Sequence, residues 1–108
     1  MNAEFEVRFT NRANRDMEEI YRYIKTQLKE PQTANRQIQR IIQEAETLDA
    51  IPERYAKVGW EPWSSQNIRK MPVDHYVVFY QVDKVRRAVS ILRVIYSGRD
   101  VKKLVIKQ

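Results

Sequence analysis

The segment "HYVVFYQVDKVRRAVSILRVIY", residues 75–96, decides the fold of this chain. Its first part, residues 75–82, and its last part, residues 87–96, are rich in Val, Ile, Tyr and Phe and free of Gly and Pro, which is typical of β-strands. The polar residues between them suit a hairpin connection. The preceding segment "NIRKM", residues 67–71, also has strand character, so the sequence predicts three consecutive strands.

The last predicted strand and the residues just after it, "ILRVIYSGRD" (residues 91–100), carry Arg93 and Arg99. A buried, unpaired guanidinium is costly because its charge leaves water without compensation. Either one face of the strand is exposed to solvent, or the arginines pair with acidic groups. Strand parity places Arg93 on one face with Ile91 and Ile95, but a one-residue bulge would change that parity. The face of Arg93 therefore stays open at this point.

The first half of the chain predicts one strand and two helices. In "EFEVRFT", residues 4–10, apolar and charged side chains alternate as in a half-buried strand, and Thr10 can cap a following helix. Pro31 separates the two helices and Pro52 ends the second, so they form an antiparallel hairpin. Their apolar stripes are Ala13, Met17, Ile20, Tyr21, Ile24 and Leu28, then Ala34, Ile38, Ile41, Ile42, Ala45 and Leu48.

These elements predict an α+β domain with a β-α-α-β-β-β core, spanning residues 1–108 as a single unit. The antiparallel helical hairpin packs on one face of a mainly antiparallel four-stranded sheet, and the other face is expected to be half exposed. The loop at residues 56–65 holds Trp60 and Trp63, which we interpret as pinning it to the core. Residues 98–108 are expected to form a short helix, an edge strand or a tail.

The composition is that of a folded protein whose positive charge lies in its second half. Residues 1–50 contain 8 Lys/Arg against 9 Asp/Glu, and residues 51–108 contain 12 against 5, which gives −1 and +7. Such a field attracts nucleic acid or an acidic protein surface. The chain has no cysteine, which excludes disulfides and thiolate chemistry. It shows no membrane span and no signal peptide, so we expect it in the cytoplasm.

Cationic and aromatic side chains of the predicted strands form a candidate binding surface. Arg69 and Lys70 lie on one strand, and Arg93, Tyr96 and Arg99 lie on or just beyond the last. Arginine pairs bidentately with phosphates and carboxylates, and aromatic rings stack on bases, so the surface suits RNA. The alternative is structural: tyrosines are commonly core residues, and Arg99 could pair with the aspartate that follows it.

Other chemistry has little support in the sequence. His75 has no recognisable Ser, Cys or carboxylate partner, and we interpret it as a surface or edge residue. No His, Asp and Glu spacing suggests a metal, and no Gly-rich loop suggests a nucleotide, so no metal and no cofactor is expected. If the chain cleaved RNA, proton transfer would fall to Tyr96, Lys70 or His75.

Several segments in this order resemble the RelE/ParE superfamily of bacterial toxins. The similarity covers roughly residues 5–104 and implies the β-α-α-β-β-β fold derived above. It also implies the toxin half of a type II toxin–antitoxin pair, neutralised by an antitoxin with an acidic or amphipathic segment. The matching stretches are "FEVRFTNRANRDMEEIYRYI" (residues 5–24), the helix that opens on Pro31 with Ala34, "IPERY" (51–55), "IRKMPVDHYVVFYQV" (68–82) and "ILRVIYSGRD" (91–100).

The resemblance implies two alternative targets. ParE-like members, which include plasmid stabilization proteins, poison DNA gyrase, whereas RelE-like members cut mRNA in the ribosomal A site. Arg99 matches an arginine that holds the cleaved phosphate in RelE-like enzymes, and there Arg69 and Tyr96 would also be catalytic. However, their final catalytic tyrosine falls near Val105, and their basic loop is matched by Lys57 alone. The ParE-like branch is therefore favoured. A non-toxic basic binding domain is the third hypothesis.

Overall fold

The computed structural model describes residues 4–106 and confirms the predicted α+β class. The expected domain (1–108) and closing segment (98–108) extend beyond these described residues. The helices and strands in chain order are β1 (Glu6–Phe9), α1 (Asn11–Arg22), α2 (Pro31–Glu46), β2 (Ile68–Val73), β3 (Tyr76–Asp83), β4 (Ala88–Tyr96) and α3 (Val101–Ile106). α1 continues as a π-helical turn, Tyr23–Gln27, and 3₁₀ turns cover Thr47–Asp49 and Trp63–Gln66.

The four strands form one sheet in the order β1-β4-β3-β2. β3 pairs antiparallel with both of its neighbours, as the predicted hairpin requires. β1 runs parallel to β4, with Val7 opposite Val89, and the helical hairpin and two strands between them supply the long connection that parallel pairing requires. None of the helices within residues 4–106 is both long enough and apolar enough to cross a membrane.

Thr10 connects β1 to α1, and its predicted capping role is confirmed. Its hydroxyl oxygen accepts a hydrogen bond from the backbone N–H of Ala13 at 3.1 Å and donates one to the carbonyl of Ile91 at 2.9 Å. The same side chain thus starts the helix and ties it to β4. Pro31 occupies the first turn of α2, where its missing N–H removes no helical hydrogen bond.

The main core lies between the helical hairpin and one face of the sheet. Ala13 and Ala45 are completely buried, and their small side chains let the helices approach the strands closely. Tyr80 is also completely buried, and its hydroxyl donates to the carbonyl of Pro52 at 2.6 Å. Burial raises the pKa of Tyr80 to about 12. The larger apolar residues of this core are Met17, Ile41, Leu48, Met71, Val73, Val78, Val82, Val89, Ile91 and Val94.

The second face of the sheet is half exposed, as expected, but the chain covers part of it. Trp63 packs on Phe79 of β3 with ring centroids 5.2 Å apart, and Trp60 stacks on Trp63 at 5.0 Å. Val101 and Leu104 of α3 pack against the same cluster. The tryptophans therefore pin the loop to the core, as interpreted, and together with α3 they cover a second apolar layer.

Leu28 also differs from its prediction. The helical stripe placed it beside Met17 and Ile24, which are buried, yet Leu28 is half exposed. The helix ends in the π-helical turn, where the backbone N–H of Leu28 donates to the carbonyl of Tyr23, five residues earlier, at 3.2 Å. Residues 25–32, at the tip of the helical hairpin, are all exposed, and Leu28 lies among them.

Candidate functional site

Arg93 is held by a buried carboxylate, which answers the question its sequence position raised. Its Nε and Nη2 donate to the two carboxylate oxygens of Asp16 on α1, at 2.8 and 3.2 Å. Arg93 pairs with Phe79 across the sheet, whereas Tyr80 pairs with Ile91, so one extra residue bulges from β4 between them. The bulge changes the strand parity, and Arg93 reaches the helix.

Asp16 also closes the edge of β4. β1 ends opposite Ile91, and beyond that point the backbone N–H of Val94 donates to Asp16 Oδ2 at 2.9 Å. Arg12, one turn earlier on α1, places its Nε 3.7 Å from Asp16 Oδ1. The carboxylate therefore replaces the missing strand neighbour and satisfies a strand N–H that would otherwise be buried without a partner.

A groove of about 890 Å³ opens beside the Asp16–Arg93 pair, between α1 with its π turn and the end of β4. We call it the α1–β4 groove. Its walls carry Tyr23, Leu28 and Tyr96, which are 54%, 50% and 52% exposed. Only Ile51 and Val85 are other large apolar side chains with comparable exposure among residues 4–105, whose side chains the structure describes. The exposed apolar surface is therefore concentrated in the groove.

Arg99 lines the mouth of the α1–β4 groove on a tight turn after β4. Its backbone N–H donates to the carbonyl of Tyr96 at 3.1 Å, and within residues 4–106 its guanidinium has no hydrogen bond or ion pair. The predicted alternative, pairing with Asp100, is not formed. Gly98 leaves room for the Tyr96 ring, because a Cβ there would lie 2.6 Å from Cε2 of that ring and the ring would have to move. Arg99 is therefore available to a partner.

His75 lies in the β2–β3 turn and also lines the groove. It is exposed, as interpreted from the sequence. The turn is fixed by Asp74, which accepts hydrogen bonds from Arg40 at 3.1 and 3.2 Å and from Gln37 at 3.0 Å. The hydrogen bond from Arg40 is the main cause that lowers the pKa of Asp74. These hydrogen bonds from α2 fix the turn and thereby position the side chain of His75.

Tyr76 and Tyr96 form the aromatic part of the groove. They are opposite residues of β3 and β4, and their rings meet edge to face with centroids 6.0 Å apart. Burial raises the pKa of Tyr76, and the nearby Tyr23 and Tyr96 raise it further. The three tyrosine rings share the groove lining with three basic side chains, those of Arg12, His75 and Arg99.

Arg69 and Lys70 do not line this groove. Nη1 of Arg69 donates to the carbonyls of Glu53 and Tyr55 at 3.0 and 2.7 Å, and its side chain is only 13% exposed. Lys70 is exposed and pairs with Phe79, on the sheet face that Trp63 covers. Of the five candidate residues, the structure brings Arg93, Tyr96 and Arg99 together and keeps Arg69 and Lys70 apart from them.

Many groove residues were not singled out from the sequence as binding residues, among them Arg12, Tyr23, Leu28 and His75. The spacing of Arg12 and Asp16 was a usable signal, because residues four apart share a helix face. Tyr23 and Leu28 gave none, since a π turn has no sequence pattern that the helical period reveals. Within the described residues no group of three or more His, Asp or Glu side chains could hold a metal ion.

The sequence matches the model of one protein family, "ParE toxin of type II toxin-antitoxin system, parDE", over residues 7–101. The chain belongs to this ParE toxin family. It is therefore a toxin of the type II toxin–antitoxin class. No curated protein sequence matches the chain significantly.

Solved structures share the fold of this ParE-family toxin. A chain of the chromosomal ParDE toxin–antitoxin system of P. aeruginosa is 19% identical and superposes with a TM-score of 0.71, covering 88% of this chain and 98% of that one. A chain of the RelBE2 toxin–antitoxin complex of Mycobacterium tuberculosis is 22% identical, with a TM-score of 0.62 and coverages of 86% and 98%. The isolated E. coli RelE toxin is 19% identical, with a TM-score of 0.54 and coverages of 95% and 96%.

Proposed function

We propose that this ParE-family toxin arrests growth by binding DNA gyrase in its DNA-cleaved state, and that it makes or breaks no bond itself. Tyr96 and Arg99 of the α1–β4 groove are the proposed contacts, and the exposed Lys70 is a further one. Arg93 acts on this surface indirectly, because its pairing with Asp16 holds α1 against β4. Gyrase acts on DNA in the bacterial cytoplasm, and we place the toxin there.

The position of Arg69 supports binding over cleavage. A nuclease that used Arg69 and Arg99 would need both cations on one phosphate. Here the Arg69 guanidinium is engaged by two backbone carbonyls and lies outside the groove that Arg99 lines. The match to the ParE family model supports the same choice.

The gyrase proposal is tested with purified toxin, gyrase, ATP and supercoiled plasmid. We expect linear DNA after protein digestion, and none when gyrase or ATP is left out. Absence of linear DNA at saturating toxin would contradict the proposal.

We also propose a cognate antitoxin with an acidic or amphipathic segment, encoded beside the toxin gene. The charge of the second half, +7, attracts such a segment. The P. aeruginosa ParDE and M. tuberculosis RelBE2 proteins are described as toxin–antitoxin systems or complexes, which supports a partner here. Inducing the toxin alone should stop growth, and co-inducing the adjacent gene should restore it. Normal growth without the neighbour would favour a non-toxic basic binding domain.

A ribosome-dependent endoribonuclease is the second candidate. One observation favours it: His75, Tyr96 and Arg99 line the same groove, so a phosphate-binding cation stands near two groups capable of proton transfer. Primer extension on translated mRNA would then show cuts inside codons at the A site. Uncut message in a stalled translation reaction would exclude this function.

A further inference from the structure

The turn between β3 and β4 presents Val85, which at 93% is the most exposed large apolar side chain among residues 4–105. The turn is fixed, because one carboxylate oxygen of Asp83 accepts hydrogen bonds from the backbone N–H groups of Val85 at 3.1 Å and of Arg86 at 3.0 Å. The pairing of β3 with β2 and of β4 with β1 stops before this turn. Residues 83–87, which we call the β3–β4 tip, therefore form the end of a two-stranded ribbon that holds a valine in solvent.

Positive charge surrounds this valine. The sequence of the β3–β4 tip, "DKVRR", contains three cations and one acid, a net charge of +2. Lys84 and Arg86 flank Val85 with side chains that are 65% and 83% exposed, and the exposed Arg87 follows them. An apolar side chain between exposed cations fits a ligand with anionic edges and apolar surface between those edges.

Two acids lie near these cations, and they do not neutralise them. Asp83 accepts the hydrogen bonds of the turn, and its Oδ2 lies 4.0 Å from Nη1 of Arg86. Glu53 places its Oε1 3.2 Å from Nζ of Lys84, and the exposed Arg54 next to it adds a further cation. The β3–β4 tip and residues 53–54 together contain four cations against two acids, so this end of the molecule stays positive.

The β3–β4 tip lies at the opposite end of β4 from the α1–β4 groove. β4 has nine residues, and at a rise of about 3.3 Å per residue the two ends are roughly 25–30 Å apart. The two surfaces can therefore contact different parts of one large assembly at the same time. In a complex of gyrase with cleaved DNA, these parts are the protein and the DNA.

Duplex DNA has the chemistry that the β3–β4 tip fits. Its major groove admits a two-stranded β-ribbon, and the groove floor carries the apolar methyl groups of thymine. Phosphates border the groove, and lysine and arginine side chains pair with them. A membrane surface, in contrast, requires a larger apolar area than one valine provides.

We propose that the β3–β4 tip binds duplex DNA, with Lys84 and Arg86 on the phosphates and Val85 between them in the major groove. This inference rests on the proposed gyrase target, which supplies the DNA. In that complex the α1–β4 groove contacts the protein, and the β3–β4 tip contacts its DNA.

The test measures binding of the purified toxin to a fluorescently labelled DNA duplex by anisotropy, without gyrase and at several salt concentrations. Val85→Asp places a carboxylate next to the phosphates, and we expect the affinity to fall at least about tenfold. Gln32→Asp is the matched control, because it adds the same charge at the exposed start of α2, and its affinity should stay within about twofold of wild type. Circular dichroism verifies that both variants fold.

A second variant addresses the phosphate contact. Arg86→Ala should make the dependence of log affinity on log salt concentration shallower by about 1, as expected when one phosphate contact is lost. Arg36→Ala, which removes an exposed arginine of α2, should leave that dependence unchanged. If Val85→Asp does not fold, the Arg86→Ala result decides.

Equal losses in Val85→Asp and Gln32→Asp, or a salt dependence of Arg86→Ala equal to that of wild type, would overturn the inference. Failure of the wild-type toxin to bind the duplex would overturn it as well, and linear DNA formed with gyrase would then leave the gyrase proposal standing. Duplex binding that depends on Val85 and Arg86, without linear DNA in the gyrase reaction, would support the DNA contact and contradict gyrase as the target.

Discussion

Arg93 and Arg99 belong to one strand and the turn after it, yet they occupy opposite environments. Arg93 is buried against Asp16, and the pair joins the first helix to the last strand. Arg99 stands at the mouth of a groove with no partner in the described part of the chain. The same residue type is therefore structural where it is buried with a matched carboxylate, and it is available for recognition where it is exposed without one.

The largest predicted effect lies in the buried region. Asp16→Ala leaves Arg93 buried without a counter-charge and the Val94 N–H without an acceptor, so the free energy of unfolding should fall by about 3–5 kcal/mol. Glu19→Ala, on the exposed side of the same helix, should change it by less than about 0.5 kcal/mol. Urea denaturation measures both. If Asp16→Ala lowered the free energy of unfolding by less than about 1 kcal/mol, the Asp16–Arg93 pair would not be what holds α1 against β4.

The next effect concerns Tyr80, in the same buried region. Its pKa is about 12 in the folded chain against 10.0 for an ordinary tyrosine, so the folded state keeps a proton that the unfolded state loses. The protonated Tyr80 therefore contributes fully to the free energy of unfolding below pH 10. As the pH rises from 10 to 12, the free energy of unfolding should fall by about 2 kcal/mol. Denaturation at several pH values should show this fall, and Tyr80→Phe should show less of it. An identical pH profile for both proteins would contradict the assignment.

The order of helices and strands was predictable because it depends on local patterns. Alternation identified β1, the apolar stripes identified α1 and α2, and Thr10 capped its helix as its position implied. The availability of Arg99 could also be anticipated, since a Gly98 turn precedes it. These features depend on residues that are neighbours along the chain.

What could not be predicted depends on distant residues or on backbone irregularity. Asp16 and Arg93 are 77 residues apart, and no local pattern pairs them. The cover of the second sheet face comes from the packing of Trp63 and α3 after the chain has folded. The exposure of Leu28 depends on how far the helical hairpin extends beyond the core, and the engagement of Arg69 depends on two backbone carbonyls that lie 14 and 16 residues away along the chain.

A smaller effect is expected in the exposed region. Gly98→Ala puts a Cβ within 2.6 Å of the Tyr96 ring, which must move. Because Tyr96 is half exposed, the ring can yield, and the free energy of unfolding should fall by less than about 1 kcal/mol. The Tyr96 ring resonances should shift in NMR spectra while those of Tyr80 stay unchanged. Unshifted Tyr96 resonances would show that the ring does not rest on Gly98.

The smallest effect on stability is predicted for Arg99→Ala, which removes an exposed side chain without a partner in residues 4–106 and should change the free energy of unfolding by less than about 0.5 kcal/mol. Urea denaturation of Arg99→Ala and Asp16→Ala under the same conditions compares the free energy of unfolding in the two regions directly. A loss of several kcal/mol would show that Arg99 is structural after all.

We propose that the α1–β4 groove, which Arg99 lines, contacts gyrase. The most direct measurement compares wild type and Arg99→Ala in the gyrase reaction with supercoiled plasmid and ATP, at equal folded concentration. We predict that the variant needs at least about tenfold more protein to give the same linear DNA, the loss expected of one charged contact. Equal linear DNA from both proteins at every concentration would contradict the claim.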